Sequence, residues 1–357
     1  MTADEIFHGR LIMAPMTRGT DLPFRLLANE WGATVCSGEM AYAHRTGGRD
    51  RGDLPLLRRH PSEKVFGVQL AGKVPEVMAE GARVAEGLGA DFVDVNLGCP
   101  IDEVTRRGFG ASLLQRPSRV AAIVAAMKAA VTIPVTIKLR LGWSEGEDAY
   151  LKVARAAVSS GVDAITLHAR SRAQRYRRPA IWDHVKALVA EVPVPVIGNG
   201  DIFTWRDAKR RMEETGCAAV MVGRWALAKP WIFHEFANSR DVELSPDERL
   251  AVVRRYVELC RAHFRDDERG RTRTRRFLVF HQDFFRRYRR RAAPDAANSD
   301  DPRLWGEEPA NDLEAWLCRS DLLGVTALTR WLVDGEEIEP PPPAPDGPRA
   351  VKVAALG

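Results

Sequence analysis

At 357 residues, 45% hydrophobic and 28% charged, the chain is long enough for a barrel of about 250 residues with an appendage and apolar enough to fill a large core. Its net charge of +5 is modest, and the best membrane-span candidate, residues 120–131, falls short of the ~20 apolar residues required and is interrupted by Lys128. Five scattered cysteines (Cys36, Cys99, Cys217, Cys260 and Cys318) without a CxxC pair exclude a disulfide framework and a zinc site and fit a reducing cytoplasm, while residues 1–10 carry Asp4 and Glu5 and lack the apolar core of a signal peptide.

Short apolar strands are expected at 11–16, 33–37, 65–70, 92–97, 135–140, 164–170, 194–201 and 219–224. Helices are expected among them at 22–31, 76–88, 118–130, 148–160, 182–191 and 205–214, with a last one ending near 236. Residues 42–60, polar and rich in glycine and arginine, read as a long loop. Strands alternating with helices in this way form the pattern of an α/β protein with a (β/α)8 TIM barrel. Strands that are apolar throughout suit a sheet covered by helices. A doubly wound open sheet is the competing architecture. The strand count argues against it, as does the missing Gly-x-Gly-x-x-Gly after the first strand: Gly108-Phe109-Gly110 lacks the third glycine.

From about residue 245 only helical periodicity remains. Ser245-Pro246-Asp247-Glu248 reads as an N-cap, a proline at the first helical position and an acidic first turn, and helices are expected over 246–265, 271–291 and 311–332. The expected division is a catalytic barrel over 1–240, a helical domain over 241–335 and a proline-rich disordered tail over 336–357, with residues 293–309 as a flexible loop.

A barrel builds its active site at the carboxyl ends of its strands. The strand at 92–97 ends in Asn96-Leu97-Gly98-Cys99-Pro100, a turn that sets a cysteine just past the strand end. Cys99 alone could equally be a small buried hydrophobe. The other ends supply Ala14-Pro15-Met16, Gln69, Lys138 and Arg140, His168 and Arg170, Asn199-Gly200-Asp201, and Gly223-Arg224. Since an unpaired buried polar group costs ~1–3 kcal/mol, so many polar strand ends point to a polar ligand.

Asn199-Gly200-Asp201 and Gly223-Arg224 follow strands seven and eight, the phosphate position of many barrels, where glycines admit backbone N–H groups and Arg224 adds a charge-assisted bond. Two tight turns without a ligand are the plain alternative. Lys138 suits the electron-rich end of a flavin ring, and Gln69 and His168 suit ring or ribityl oxygens. The residues therefore read as a flavin mononucleotide (FMN) barrel in which Cys99 is a general acid.

These motifs resemble those of the tRNA-dihydrouridine synthase family. The likeness runs through Ala14-Pro15-Met16, Gln69, Asn96-Leu97-Gly98-Cys99-Pro100, Lys138-Leu139-Arg140, His168-Ala169-Arg170, Asn199-Gly200-Asp201 and Gly223-Arg224, and continues into Thr274-Arg275-Arg276-Phe277-Leu278. Ser37-Gly38-Glu39-Met40-Ala41, Gly98-Cys99-Pro100-Ile101-Asp102 and Ser171-Arg172-Ala173-Gln174-Arg175-Tyr176 are most similar to the type-3 branch, which acts on the tRNA variable loop and carries zinc-finger modules ahead of its barrel; this sequence opens almost at its first strand, without them. The resemblance implies that NADPH reduces FMN, which then reduces uridine to 5,6-dihydrouridine with hydride to C6 and a proton from Cys99 to C5. The base must leave its stack to reach a barrel mouth.

Arg170, Arg172, Arg175, Arg177 and Arg178 crowd the loop after strand six, Arg106 and Arg107 follow Cys99, and residues 269–291 are dense in arginine, including Arg275 and Arg276, with Asp283 the only acid. Together with Arg140 at its strand end, they are candidate RNA contacts; a solvated helix face is the alternative for the helical segment. Phe277, Phe280, Phe284 and Tyr288 recur at helical spacing as a core stripe. The expected protein is a cytoplasmic monomer that acts on tRNA and needs neither membrane nor metal. Two other functions compete: an FMN barrel acting on a free small molecule of dihydroorotate or enoate type, which has no use for the arginine-rich helices, and a non-catalytic RNA-binding barrel, which would not purify yellow.

Overall fold

A computed structural model describes residues 1–47, 50–288, 309 and 311–337. Its parallel strands are β1 (Leu11–Met13), β2 (Val35–Ser37), β3 (Ala41–Tyr42), β4 (Val65–Ala71), β5 (Phe92–Leu97), β6 (Val135–Arg140), β7 (Ala164–His168), β8 (Val196–Asn199) and β9 (Ala219–Val222). β1 pairs with both β9 (Leu11 opposite Val220) and β2 (Met13 opposite Cys36), and β2 pairs with β4 (Cys36 opposite Phe66). The ring therefore closes through eight of these strands, and the expected TIM barrel is the observed fold.

The extra strand lies partly inside the expected 42–60 loop. β2 reaches only Val65, Phe66 and Gly67 of β4, which leaves the upper end of β4 without a neighbour on that side. After Gly38-Glu39-Met40 the chain returns to pair Ala41 with Leu70 and Tyr42 with Ala71. This satisfies backbone groups that would otherwise be orphaned.

A helix that the sequence reading does not anticipate, Ala3–Phe7, closes the bottom of the barrel. Thr2 caps it and Glu5 completes the capping box. Ile6 and Phe7 join Ile12, Val35, Val65, Phe92, Ile197 and Met221 in an apolar inner layer, with the Phe7 and Phe92 rings edge to face at 5.1 Å. Gly67 makes room for this layer, since a Cβ there would collide with the Phe92 ring. The bottom of the barrel is thus packed with apolar side chains.

The C-terminal helices are Pro246–Phe264, Glu268–Phe285, Asp312–Leu317 and Leu322–Asp334. The first begins as expected, with Ser245 and Glu248 forming a capping box. The second begins earlier and ends earlier than the expected 271–291, and residues 289–291 lie outside the described set. The expected 311–332 helix is two helices: Asp321 accepts from Gly324 N at 2.8 Å and from the Arg319 guanidinium, so a new N-cap interrupts the run. Residues 293–308 of the expected 293–309 loop and 338–357 of the expected 336–357 tail lie outside the described residues. The core of the barrel's outer face continues into these helices. Tyr256 Oη donates to Asp21 Oδ2 at 3.1 Å, and Phe24 stacks on His281 at 4.6 Å. The 277–288 stripe packs into this core as the spacing predicts, with Tyr288 buried and Phe277, Phe280 and Phe284 half-buried against it.

Candidate active site

Side chains alternate along a strand, so every second residue of β4 to β8 points into the barrel. Register puts Asn96 opposite Lys138 and Lys138 opposite Thr166, and one level higher Arg140 opposite His168 and His168 opposite Asn199. These levels lie above the apolar layer. They open into a cavity of about 490 Å³, within the range of small-molecule sites.

Ten of the thirteen residues expected to form a cofactor site and its acid line this cavity: Ala14, Pro15, Met16, Lys138, His168, Asn199, Gly200, Asp201, Gly223 and Arg224. Lys138 Nζ donates to Asn199 Oδ1 at 3.1 Å, and Asn199 Nδ2 donates to the Met221 carbonyl at 2.7 Å, which locks the amide's orientation. Gly200 has φ +126 and a Cβ there would meet Ala180, so the turn after β8 requires glycine. Asp201 follows at φ 51, a conformation aspartate tolerates better than most residues.

The other three, Gln69, Asn96 and Cys99, do not line it, although Asn96 is the register partner of Lys138, which does. Gln69 is buried and accepts from Asn96 Nδ2 at 2.7 Å, and Asn96 Oδ1 accepts from the backbone N–H of Gly98 at 3.2 Å and of Cys99 at 2.9 Å. Cys99 is half-buried. Burial pushes its thiol pKa up, against the Ile101 amide, Arg140 and Lys138, so it keeps its proton at neutral pH. Lys138 is brought down to about 8 by burial and by Arg140, with Asp94 and Cys99 acting the other way. Burial and then Arg140, Lys138, Arg170 and Arg224 push His168 well below its usual range, so it is neutral. Arg170 Nη1 lies 3.3 Å from His168 Nε2; a guanidinium only donates, so Nε2 accepts and Nδ1 carries the proton.

Several expected RNA contacts have partners within the chain, and two of them, Arg140 and Arg170, are buried. Arg170 is 3% exposed: Nη2 donates to both Asp201 carboxylate oxygens at 2.6 Å and Nε donates to the Arg178 carbonyl at 2.5 Å. It fixes the turn that carries Gly200 and Asp201, and it lines the cavity. Arg140 is 2% exposed and donates to the carbonyls of Gly98, Ser171 and Arg175, tying the Cys99 turn to the loop after β7. Arg275 bridges Glu268 and Asp334, each at 2.7 Å, and so joins the second and fourth C-terminal helices. In each case an acid or carbonyl far away in sequence consumes the donors. Arg172 pairs with Asp102 at 2.5 Å over the Trp143 ring. Arg175, Arg177, Arg178 and Arg276 are exposed, although Arg175 lies 3.7 Å from Asp102 and Arg178 3.1 Å from Glu145.

The sequence reading misses Tyr176, Trp225, Phe284, Arg286 and Arg287, which also line the cavity. Tyr176 lies under the Arg224 guanidinium at 4.0 Å. The indole N–H of Trp225 is buried without a hydrogen-bond partner among the described residues. Phe284, Arg286 and Arg287 reach the cavity from the C-terminal helices, and only the tryptophan beside Gly223-Arg224 carried a local signal.

Residues 12–297 match the family model for dihydrouridine synthase. The chain is 39% identical over 299 residues to a tRNA-dihydrouridine(47) synthase [NAD(P)(+)] of Cryptococcus neoformans, covering 79% of this chain and 41% of that protein. It is 40% identical over 283 residues to the corresponding protein of Rattus norvegicus, covering 78% and 44%. It is 36% identical over 359 residues to that of Malassezia globosa, covering 91% and 47%. The chain thus spans less than half the length of these curated relatives. Among solved structures it resembles a histamine dehydrogenase from Rhizobium (TM-score 0.51, 17% identity, 70% of this chain and 49% of that one). It also resembles a 2-naphthoyl-CoA reductase (TM-score 0.52, 13% identity, 65% and 50%), and both likenesses concern the fold alone.

Proposed function

The chain belongs to the dihydrouridine synthase family, and from that premise we propose that it reduces a uridine of tRNA to 5,6-dihydrouridine, using FMN recharged by NADPH and the Cys99 thiol as proton donor. The curated relatives are named for position 47, so that uridine is the first target to examine. The observation that carries the reading is the meeting of two features at one residue: Lys138 lines the cationic cavity and is the register partner of Asn96, whose side chain holds the Cys99 turn.

The cavity's own features fit FMN. Lys138, Arg170, Arg224, Arg286 and Arg287 surround it, and its only acid among the described lining residues, Asp201, is held by Arg170. Arg286 and Arg287 both pair with Asp283, each at 2.5 Å, so Lys138 and Arg224 are the cations that a phosphate would meet. The buried Trp225 N–H has no acceptor among the described residues. The absence of a dinucleotide fingerprint favours FMN over FAD. Bound FMN would supply hydride for C6 of the uracil ring.

The chain's residues perform the rest. Cys99 holds a proton at neutral pH and delivers it to C5, so that one hydride and one proton saturate the C5–C6 double bond. Asn96 and Arg140 hold the turn that presents the thiol. Lys138 offsets negative charge at the site, and neutral His168 offers Nδ1–H as a donor. Ile101 and Tyr176, 54% and 49% exposed beside the turn and the cavity, give a flipped base apolar surface to lie against. Arg177 and Arg276 are exposed cations for phosphates. We propose further that it acts in the cytoplasm as a monomer. No described helix is long and apolar enough to cross a membrane.

The test is to incubate unmodified tRNA with the purified protein, FMN and NADPH and to map dihydrouridine by mass spectrometry. Product at one variable-loop uridine is expected. A yellow protein that oxidises NADPH yet leaves every tRNA uridine intact would overturn the reading.

A further inference from the structure

Beneath the Cys99 turn lies a buried carboxylate that the reaction does not use. Asp94 of β5 is the register partner of both Gln69 on β4 and Thr136 on β6, so these three side chains share one level of the barrel interior. Gln69 Nε2 donates to Asp94 Oδ2 and Thr136 Oγ1 to Asp94 Oδ1, each at 2.7 Å. Asn96 Nδ2 then donates to Gln69 Oε1 at 2.7 Å, and Asn96 Oδ1 receives the backbone N–H groups of Gly98 and Cys99. An unbroken chain of hydrogen bonds thus runs from the barrel interior to the turn.

The chain has a direction. An ionised carboxylate only accepts, so Asp94 draws the amide nitrogen of Gln69 and turns its carbonyl toward Asn96. Asn96 must then offer its nitrogen to Gln69 and its oxygen to the turn. The far end agrees independently, because backbone N–H groups only donate. With a donor in place of Asp94, both amides could reverse and Asn96 would present N–H to N–H. Burial pushes the Asp94 carboxyl up to about 6, against the Gln69 and Thr136 bonds and Lys138 on the level above, so it is ionised at pH 7 and above.

We propose that Asp94 is a positioning residue: as the acceptor-only foot of this relay it sets the orientation of Gln69 and Asn96 and so fixes the turn that aims Cys99. The aim rests on the reading of Cys99 as the acid; the relay does not.

Amide hydrogen exchange at Gly98 and Cys99 in the full chain reads the turn without cofactor or RNA. Asp94→Leu removes both acceptors at similar volume and should speed Cys99 exchange about tenfold, the worth of one lost hydrogen bond. Reoxidation of reduced flavin by tRNA should slow about 10- to 100-fold as the thiol loses its aim. Gln69→Glu sets two carboxylates against each other and should act likewise on exchange. Adding Asp94→Asn to it should restore slow exchange, because the new asparagine nitrogen donates to the new glutamate, whose other oxygen still receives Asn96. If Asp94→Leu does not fold, this rescue still decides. Wild-type exchange in Asp94→Leu, or a double variant no better than Gln69→Glu alone, overturns the relay. Faster exchange with unchanged reoxidation overturns its catalytic purpose and leaves the reading of Cys99 as the acid to the Cys99→Ala variant.

Discussion

Lys138 Nζ donates to Asn199 Oδ1 at 3.1 Å, joining the ends of β6 and β8 across the barrel mouth. Asn199 in turn is anchored to β9 through the Met221 carbonyl. A cation is therefore held at a fixed point of the cavity wall by neutral partners.

That cation titrates near neutrality. Burial and Arg140 bring Lys138 down to about 8, so its charge is complete at pH 6.5 and is lost as pH rises through 8. Flavin reduction by NADPH should fall along an alkaline limb with a midpoint near pH 8. Lys138→Met should abolish the limb and leave a rate roughly 10²-fold lower, the effect of removing one preorganised charge. Stopped-flow reduction rates from pH 6.5 to 9.5 measure both, and an alkaline limb that survives in the variant would belong to another group.

Arg275 and Arg276 are neighbours in sequence with opposite fates. Arg276 is exposed, so Arg276→Glu should weaken tRNA binding, lower the log–log salt slope by about 1, and leave stability within about 0.5 kcal/mol. Arg275 joins two helices through Glu268 and Asp334, so Arg275→Glu would set a carboxylate beside Asp334 and should destabilise by about 1 kcal/mol. Fluorescence anisotropy at several salt concentrations and urea unfolding separate the two effects. Equal stability of both variants would show that the Arg275 bridge is idle.

The barrel was legible because its signal is local. An apolar run that ends in Lys138, His168 or Asn199 announces both a strand and a site, and all three residues meet in one cavity. Arg140 and Arg170 show what such reading misses. Charge is visible in a sequence, but the partners that bury it are not: Asp201 lies 31 residues beyond Arg170. Helix Ala3–Phe7 and strand Ala41–Tyr42 are too short for any period to emerge, and packing against Phe92 and Leu70 selects them. Phe284, Arg286 and Arg287 reach the cavity only because two distant parts of the chain share a core.

Glu39 offers a test of stability against pH. Its carboxylate, past the end of β2, is buried and accepts from the Arg18 backbone N–H. Burial first, and also Asp21, push its pKa up to about 7, against the Arg18 bond. A carboxyl raised in the folded state stabilises below the unfolded pKa, and that contribution is lost as pH rises through the folded value. The native protein should therefore lose on the order of 2–3 kcal/mol of stability through Glu39 between about pH 4 and pH 7. Glu39→Gln keeps the oxygen that receives Arg18 and should remove this dependence. Urea unfolding of both proteins at pH 5 and pH 7.5 gives the difference, and parallel pH profiles would show that Glu39 is solvated in solution.

Cys99 decides the chemistry. The thiol is half-buried on a turn held by Asn96 and by Arg140, and burial raises its pKa, so it stays protonated throughout the neutral range. If it is the acid, Cys99→Ala should leave the protein yellow and still reducible by NADPH, because that half-reaction needs no proton at C5 of uracil. Reoxidation by unmodified tRNA should slow ~10²–10⁴-fold, the usual loss on removing a general acid. Cys99→Ser should recover little, since a hydroxyl is a far weaker acid than a thiol. A residue that merely packs would give the reverse pattern: some loss of stability from the small cavity, with near-normal turnover in whatever folds. The deciding measurement is the single-turnover rate of flavin reoxidation by tRNA, variant against wild type. A ratio near one in a folded, yellow protein would remove Cys99 from the mechanism and leave Asn96 and Arg140 holding a turn for structural reasons alone.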